Sequence, residues 1–310
     1  MRKKRVNSSG RYFIIFMTVF VAGCAAIGNR PVFKKSIGNI AVPTIEDLVS
    51  VSLSHNDLTV VQSLLEADLI VLETLARNSS DNMKLLSITS KLYGYYSFGF
   101  VVADEYEDIS NEERNERLTR ARNLYWRGIH LGIEALNTNR KFKEALSKGV
   151  SFKEALRFLN EKDLPAAYST AFNMGLNLIC SLDEPKIIVL SNDYVDLTKW
   201  LIETDEFNEY GTAHVLLGVF YAIMPVVNGG GPLKARKEFE RAIEISPEFL
   251  INHFFYARYY PTLVVDEDTF DREMNFIFSF SMDTFPSARI LNEVALKKAK
   301  SIHRNRGFYF

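Results

Sequence analysis

Thiols are scarce in this chain: Cys24 and Cys180 are the only two in 310 residues, so no disulfide framework holds it together. Nine prolines and sixteen glycines leave no low-complexity segment. No run alternates convincingly at period two, which leaves a negligible amount of sheet. Charge of one sign is missing too, with a formal net of -1. Without Arg2, Lys3, Lys4, Arg5 and Arg11 the balance is 32 basic against 38 acidic residues. An acidic chain of that kind is a poor nucleic-acid binder. The five histidines (His55, His130, His214, His253 and His303) are isolated, and none fits H-E-x-x-H, so no metal site is expected. Gly229-Gly230-Gly231-Pro232 is followed by no Lys-Ser/Thr pair and preceded by no strand, which excludes a phosphate loop. No Ser-His-Asp order, carboxylate pair or cofactor motif stands out, so the chain reads as a protein without catalytic chemistry and without a cofactor.

What is present is core. Apolar residues make up 47% and aromatics 13%, enough to bury a large interior. The amino terminus is set apart from it. A basic cluster, an apolar run from Tyr12 to Ala22 and the small residues Val21-Ala22-Gly23 precede Cys24, the order of a processed export signal. The run is shorter than the ~20 residues a spanning helix needs. The junction resembles a lipobox, which implies cleavage after residue 23 and acylation of Cys24 by diacylglycerol and a further chain such as palmitate. An uncleaved anchor and a plain secretory signal are the alternatives. If lipid occupies Cys24, no intramolecular disulfide remains. Residues 1–23 are therefore expected to be the signal peptide, 24–43 a flexible tether, and 44–310 one helical domain.

The expected helices follow apolar periodicity and caps. Ile45 to Ser54 carries Thr44 as a candidate cap, and Asp57 caps Leu58 to Ala76, with Leu64, Leu65, Leu69 and Leu72 on one stripe. Met83 to Ala103 and Arg114 to Leu136 come next, separated by an acidic loop, Asp104 to Glu113, read as a solvated face. Two short helices broken at Gly149 precede a helix opened by Asp163-Leu164-Pro165, with Asp163 as its cap. That helix, Ala166 to Leu182, is apolar or small throughout and is expected to be buried on most sides. Asp183-Glu184-Pro185 starts another pair, ending at Glu203. Pro247 to Tyr260, Glu267 to Met282 and Pro286 to His303 complete the chain.

The stretch from Tyr210 to Tyr260 carries more. His214, Leu217, Gly218 and Tyr221, then Ala235, Phe239, Ala242 and Pro247, fall at the positions of a tetratricopeptide (TPR) repeat, with His in place of Trp. Gly218 and Ala235 let two helices approach while Leu217, Tyr221 and Phe239 fill the seam. Tyr221 and Ala235 are fourteen positions apart, about five more than the repeat's usual spacing, so Met224 to Pro232 is an inserted turn. Its glycines point to a flexible hairpin; closing over a pore mouth or a partner is the functional alternative. The architecture expected is all-α, stacked antiparallel TPR-like hairpins of about 11–13 helices.

The order of landmarks resembles one family, the T component of TRAP transporters. The residues are Asp81-Asn82 with Leu85-Leu86, Leu92-Tyr93 with Tyr96, Arg120-Ala121 with Tyr125, and Asp163-Leu164-Pro165-Ala166 with Tyr168. They continue with Thr212-Ala213-His214, Leu217-Gly218, Gly229-Gly230, Lys234 to Ala242, Ala257 to Tyr260, and Leu296 to Ala299. Ser169 and Met174 stand where the family has Trp. The resemblance implies a lipid-anchored, periplasm-facing accessory lipoprotein that assembles as a homotrimer. It further implies docking of a substrate-binding P component and passage of a small organic ligand, hydrophobic ones included. A TPR scaffold in outer-membrane protein assembly or envelope maintenance is the competing role.

The aromatic groups are the leading functional residues. Candidate ligand or pore contacts are Tyr93, Tyr96, Tyr125, Tyr168, Phe172, Asn173, His214, Tyr221, Arg258 and Tyr259, with Arg258 suited to hold a carboxylate. At helical spacing the same residues also read as core, and His214 as a hydrogen-bonded packing histidine. Cys180 sits in an apolar stretch, and a buried inert thiol is expected there.

Overall fold

Small residues decide where the helices of this protein touch. A Cβ on Gly128 would meet Asn173 Oδ1 at 2.3 Å, one on Gly132 would meet Thr170 Oγ1 at 2.2 Å, and one on Gly218 would meet the Phe239 ring at 3.0 Å. Each glycine marks a seam at which two helices come closer than any side chain would allow. The computed structural model describes residues 31–104, 107–182 and 187–310. Among them are thirteen α-helices and no strand.

The chain begins with α1 (Pro31–Ser54), α2 (Leu58–Asn78) and α3 (Met83–Tyr96), the last continuing as a π-turn over Ser97–Val101. Next come α4 (Asn111–Leu136), the short α5 (Arg140–Ser147) and α6 (Phe152–Ala155), and α7 (Leu164–Cys180). The second half is α8 (Ile187–Asp205), α9 (Thr212–Ile223), α10 (Pro232–Ile245), α11 (Leu250–Val264), α12 (Glu267–Ser279) and α13 (Arg289–Arg304). Neighbours in sequence pack as antiparallel hairpins, with α3 and α4 both clasping α7. Helix α13 then returns to α1, α2 and α11, so the last hairpin closes against the first. The order and number of helices match the all-α, TPR-like reading.

Several local expectations hold for the stated reasons. The Asp57 carboxylate accepts from the Thr59 and Val60 amides at 2.8 and 3.2 Å, a standard N-cap geometry. Helix α7 is buried nearly all round. Asn173 ties it to α3: its Nδ2 donates to the Ser90 and Ser169 carbonyls at 2.9 and 2.8 Å, while Ser90 Oγ donates to the Gly128 carbonyl at 2.7 Å.

Others are corrected. The first helix starts at Pro31, so 31–43 is helical and Thr44 lies inside it; Val42 and Ile45 are buried in the core, and Pro43 sits within the helix. Asp163 makes no cap bond to α7. Its carboxylate instead accepts from the Asn160 amide at 2.9 Å and from Asn139 at 2.9 Å, completing a capping box with Asn160. The inserted turn is braced, not loose: Gly231 N–H donates to Tyr221 O at 2.8 Å, Gly230 N–H to Pro225 O at 3.1 Å, and Lys234 to Gly229 O at 3.0 Å. Gly229 and Gly231 have φ of 93° and 146°, and a Cβ on Gly230 would lie 1.8 Å from Met224 O, so only glycine fits. Cys24, the signal segment and Asp183-Glu184-Pro185 lie outside the described residues.

Candidate functional site

The π-turn is where the site begins. A π-turn inserts one residue into an α-helix and is frequent at functional positions. Here it turns Phe98 inward and delivers Val102, Ala103 and Asp104 to the side of a cavity of about 110 Å³. Helix α4 contributes Tyr125, α7 contributes Leu176, Ile179 and Cys180, α11 contributes Phe254, Phe255, Arg258 and Tyr259, and α13 contributes Lys298 and Ile302. Phe98 stacks on Phe255 at 5.5 Å between centroids, and Phe255 on Tyr259 at 5.9 Å. Such offset and edge contacts stiffen an aromatic wall beyond its area burial.

Set into that apolar wall is a polar group of long sequence reach. Lys298 Nζ donates to Asp104 Oδ1 at 3.2 Å and to the Val102 carbonyl at 3.3 Å, and lies 5.1 Å from the Phe98 ring centre. Lys297 Nζ meets the other Asp104 oxygen at 3.2 Å. Burial pushes the Lys298 amine below the usual lysine range, partly offset by Asp104. Burial pushes the Asp104 carboxyl the other way, but the two lysines outweigh it and hold the group below the usual carboxylate range. The Arg258 guanidinium lies over the rings of Tyr259 and Tyr309 at 5.1 and 5.2 Å. The Cys180 thiol is pushed by burial up to about 11, which makes it a poor nucleophile.

The acidic loop is therefore not wholly solvated. Asp104 is buried because α13 presents a lysine on its apolar stripe, and that stripe was the available signal. Lys298 lies four residues after Val294 and four before Ile302, all three buried.

Of the sequence candidates, Tyr125, Arg258 and Tyr259 meet at this cavity. Phe254, Phe255 and Lys298 join them without having been singled out, and so does Asp104, which the sequence placed on a solvated face. Tyr93 lies elsewhere: its hydroxyl donates to Glu73, which also takes Arg127 at 3.0 Å and Arg77 at 2.7 Å. Tyr96 accepts from Arg120 at 2.9 Å. Tyr168 stacks on Phe172 at 5.8 Å, and Phe172 meets Tyr95 edge-on at 5.3 Å. Asn173 belongs to the α3–α7 seam.

His214 and Tyr221 line a second recess of about 540 Å³ between α8, α9 and α10. His214 Nδ1 lies 2.6 Å from Glu238 and its Nε2 lies 3.3 Å from Glu206. Arg241 bridges Glu206 and Glu244 at 2.8 and 3.0 Å. His214 is thus a hydrogen-bonded packing residue that also edges a polar groove.

With this geometry in place, a family model described as TRAP transporter T-component matches residues 54–310. The chain belongs to that family. As a T component it is an accessory part of a TRAP transport system. The match takes in every helix from α2 to α13, and so every residue of the cavity. A comparison with curated proteins gave no match. Among the described residues, no helix of this T component is long and apolar enough to cross a membrane.

Proposed function

We propose that this T component docks the substrate-binding P component of its TRAP system and helps pass a small organic ligand by way of the aromatic cavity. The carrying observation is the cavity itself. Mostly apolar and aromatic walls surround Arg258, Lys298 and Asp104, the pattern of a small-molecule site, in which a few placed polar groups orient a largely apolar occupant. At about 110 Å³ it has room for several waters or one small organic molecule. A larger cargo would require the rim to open.

The placement proposed is periplasm-facing, held to a membrane by acyl chains on Cys24. More than one acyl chain is needed for stable anchoring. The assembly proposed is a homotrimer. Light scattering of protein lacking residues 1–24 tests it, and a monomer at micromolar concentration would remove the trimer.

The test of the main reading uses the purified P component of the same system. Calorimetry should show a complex with the T component. Native mass spectrometry should show the organic molecule that co-purifies with the P component passing to wild-type T component, and passing poorly to Arg258→Ala. If Arg258→Ala leaves both ligand transfer and docking unchanged, the cavity is not the ligand's route.

A further inference from the structure

Between Arg140 and Lys162 the chain places seven basic residues against three acidic ones. The rest of the chain holds 30 basic and 35 acidic residues. The cationic excess is therefore local, set on a molecule whose average is acidic.

The fold holds this stretch as one compact unit. Phe142 of α5 is fully buried and meets Phe152 of α6 edge-on, with ring centres 5.8 Å apart. Asn139 caps α5 and donates to the Phe158 carbonyl at 3.0 Å and to Asp163 at 2.9 Å. Both legs of the segment are thus pinned through their inner faces, which leaves their charged faces outward. Lys141, Lys143, Lys148, Arg157 and Lys162 are all exposed. Arg140 and Lys153 have carboxylate partners, Glu144 at 2.7 Å and Asp196 at 3.4 Å. Among the described residues the other five make no ion pair, and Arg157 lies only over the Phe158 ring at 4.9 Å. Like charges held together repel, and a negative surface relieves that repulsion.

The kind of side chain decides the partner. None of the exposed large apolar residues falls between 140 and 162, and four of the five unpaired cations are lysines. Protein interfaces are built around apolar and aromatic centres, favour Arg and avoid Lys. A headgroup layer needs no apolar centre. Each lysine near a negative bilayer raises affinity about fivefold, through an attraction that extends only a Debye length.

We propose that the α5–α6 segment is a membrane-facing patch that lays the folded domain against an anionic lipid bilayer. It is a second point of attachment. A single acyl chain binds a membrane marginally and reversibly, while one chain with a polybasic patch binds stably. It also sets orientation, because an anchor at residue 24 alone leaves open which side of the domain meets the lipid.

The patch rests on the proposed anchoring only for its setting, and the experiment keeps the two apart. The full chain carrying Cys24→Ser is sedimented with vesicles of phosphatidylcholine, alone or mixed with phosphatidylglycerol. It should prefer the mixed vesicles. Raising salt from about 0.1 to 1 M, which cuts the Debye length from about 10 to 3 Å, should remove the preference. Adding Lys141→Glu, Lys143→Glu and Lys148→Glu should weaken binding to mixed vesicles on the order of 100-fold. Lys234→Glu, Lys237→Glu and Lys300→Glu change net charge equally at other places and should leave binding close to its starting value. The basic cluster before residue 12 is common to all these proteins, so it cancels. Circular dichroism checks each fold. Should the first triple variant not fold, Arg157→Glu with Lys162→Glu tests the second leg, with a loss of roughly 25-fold expected. No preference for mixed vesicles, or equal losses in the patch and control variants, overturns the patch. So does a patch variant that keeps vesicle binding and loses the P component in calorimetry, because the surface then faces a protein. Restoring Cys24 should add binding to neutral vesicles; if it adds none, the anchor fails and the patch stands.

Discussion

The aromatic cavity and the polar groove are two recesses built on opposite plans. The cavity gathers residues from α3 through α13, and its central ion pair joins positions 104 and 298, 194 residues apart. The groove takes its walls from the consecutive helices α8, α9 and α10, between Lys199 and Glu244. In the cavity the central pair, Asp104 and Lys298, is buried, and Asp104 is shared with Lys297. In the groove charges are many, half-exposed and paired locally, as with Arg241 between Glu206 and Glu244. Burial makes the difference between them. Solvent-exposed pairs contribute little to stability, whereas breaking a buried pair leaves a desolvated charge behind. The cavity should therefore be fragile and selective, the groove tolerant.

The sharpest test of that contrast is Asp104→Ala. It leaves Lys298 buried beside an apolar wall and should cost about 3–5 kcal/mol in chemical denaturation. Adding Lys298→Met should recover most of the loss, because the orphaned charge is then gone. If the single variant melts like wild type, the pair is not buried as described.

Next in size come two glycine replacements. Gly128→Ala drives a methyl into the Asn173 amide at 2.3–2.6 Å and should cost about 1–3 kcal/mol or more through overpacking. Gly218→Ala meets the edge of the Phe239 ring at 3.0 Å, and a ring can shift, so its loss should be smaller. Equal losses in thermal melts would mean that the two seams are equally rigid.

A kinetic comparison follows. With its thiol pushed up from 9.0 to about 11, Cys180 in the folded chain should hold about 100-fold less thiolate at pH 8 than in the unfolded chain, and react correspondingly slowly with a disulfide reagent. Labelling at the unfolded rate would place Cys180 outside a closed cavity.

Acid should discriminate more weakly. Asp104 and Glu206 both sit below the usual carboxylate range, so their stabilisation is present above that range and is lost as pH falls through the folded values. The loss should begin below pH ~4. Asp104→Asn should flatten this acid limb visibly in pH-dependent denaturation. Arg241→Ala, in a pair open to solvent, should barely change it. A reversed order would make the groove the stronger electrostatic device.

The same contrast explains how much the sequence revealed. The α9–α10 hairpin was legible because its cause is local: Ala235 and Phe239 are one helical turn apart, and Gly218 on the preceding helix faces the Phe239 ring across the seam. The bracing of the insertion was not legible, since glycine-rich composition says flexible while backbone hydrogen bonds made it rigid. Asp163 misled because a nearer competitor, Asn160, recruited its carboxylate for a different cap. Asp104 misled because the lysines that bury it lie nearly two hundred positions away. Arg258 and Tyr259 were found by chemistry alone; Phe254 and Phe255, on the same helix, were missed because phenylalanine at helical spacing carries no mark of which cavity it will face. The family landmarks supplied the order of the elements, but only the closed fold places Lys298 against the π-turn.

That π-turn has a consequence for how such a site can change. It amounts to one surplus residue in an otherwise regular helix, with Gly99 at its centre, where an added Cβ would lie 3.3 Å from a Val294 methyl. Taken into an unbroken α-helix, that surplus residue would turn everything after it by about 100° relative to the start of α3. Asp104 would swing off Lys298, and Phe98 off Phe255. One widened turn thus preserves a pairing between positions 104 and 298 that the helix period alone would break.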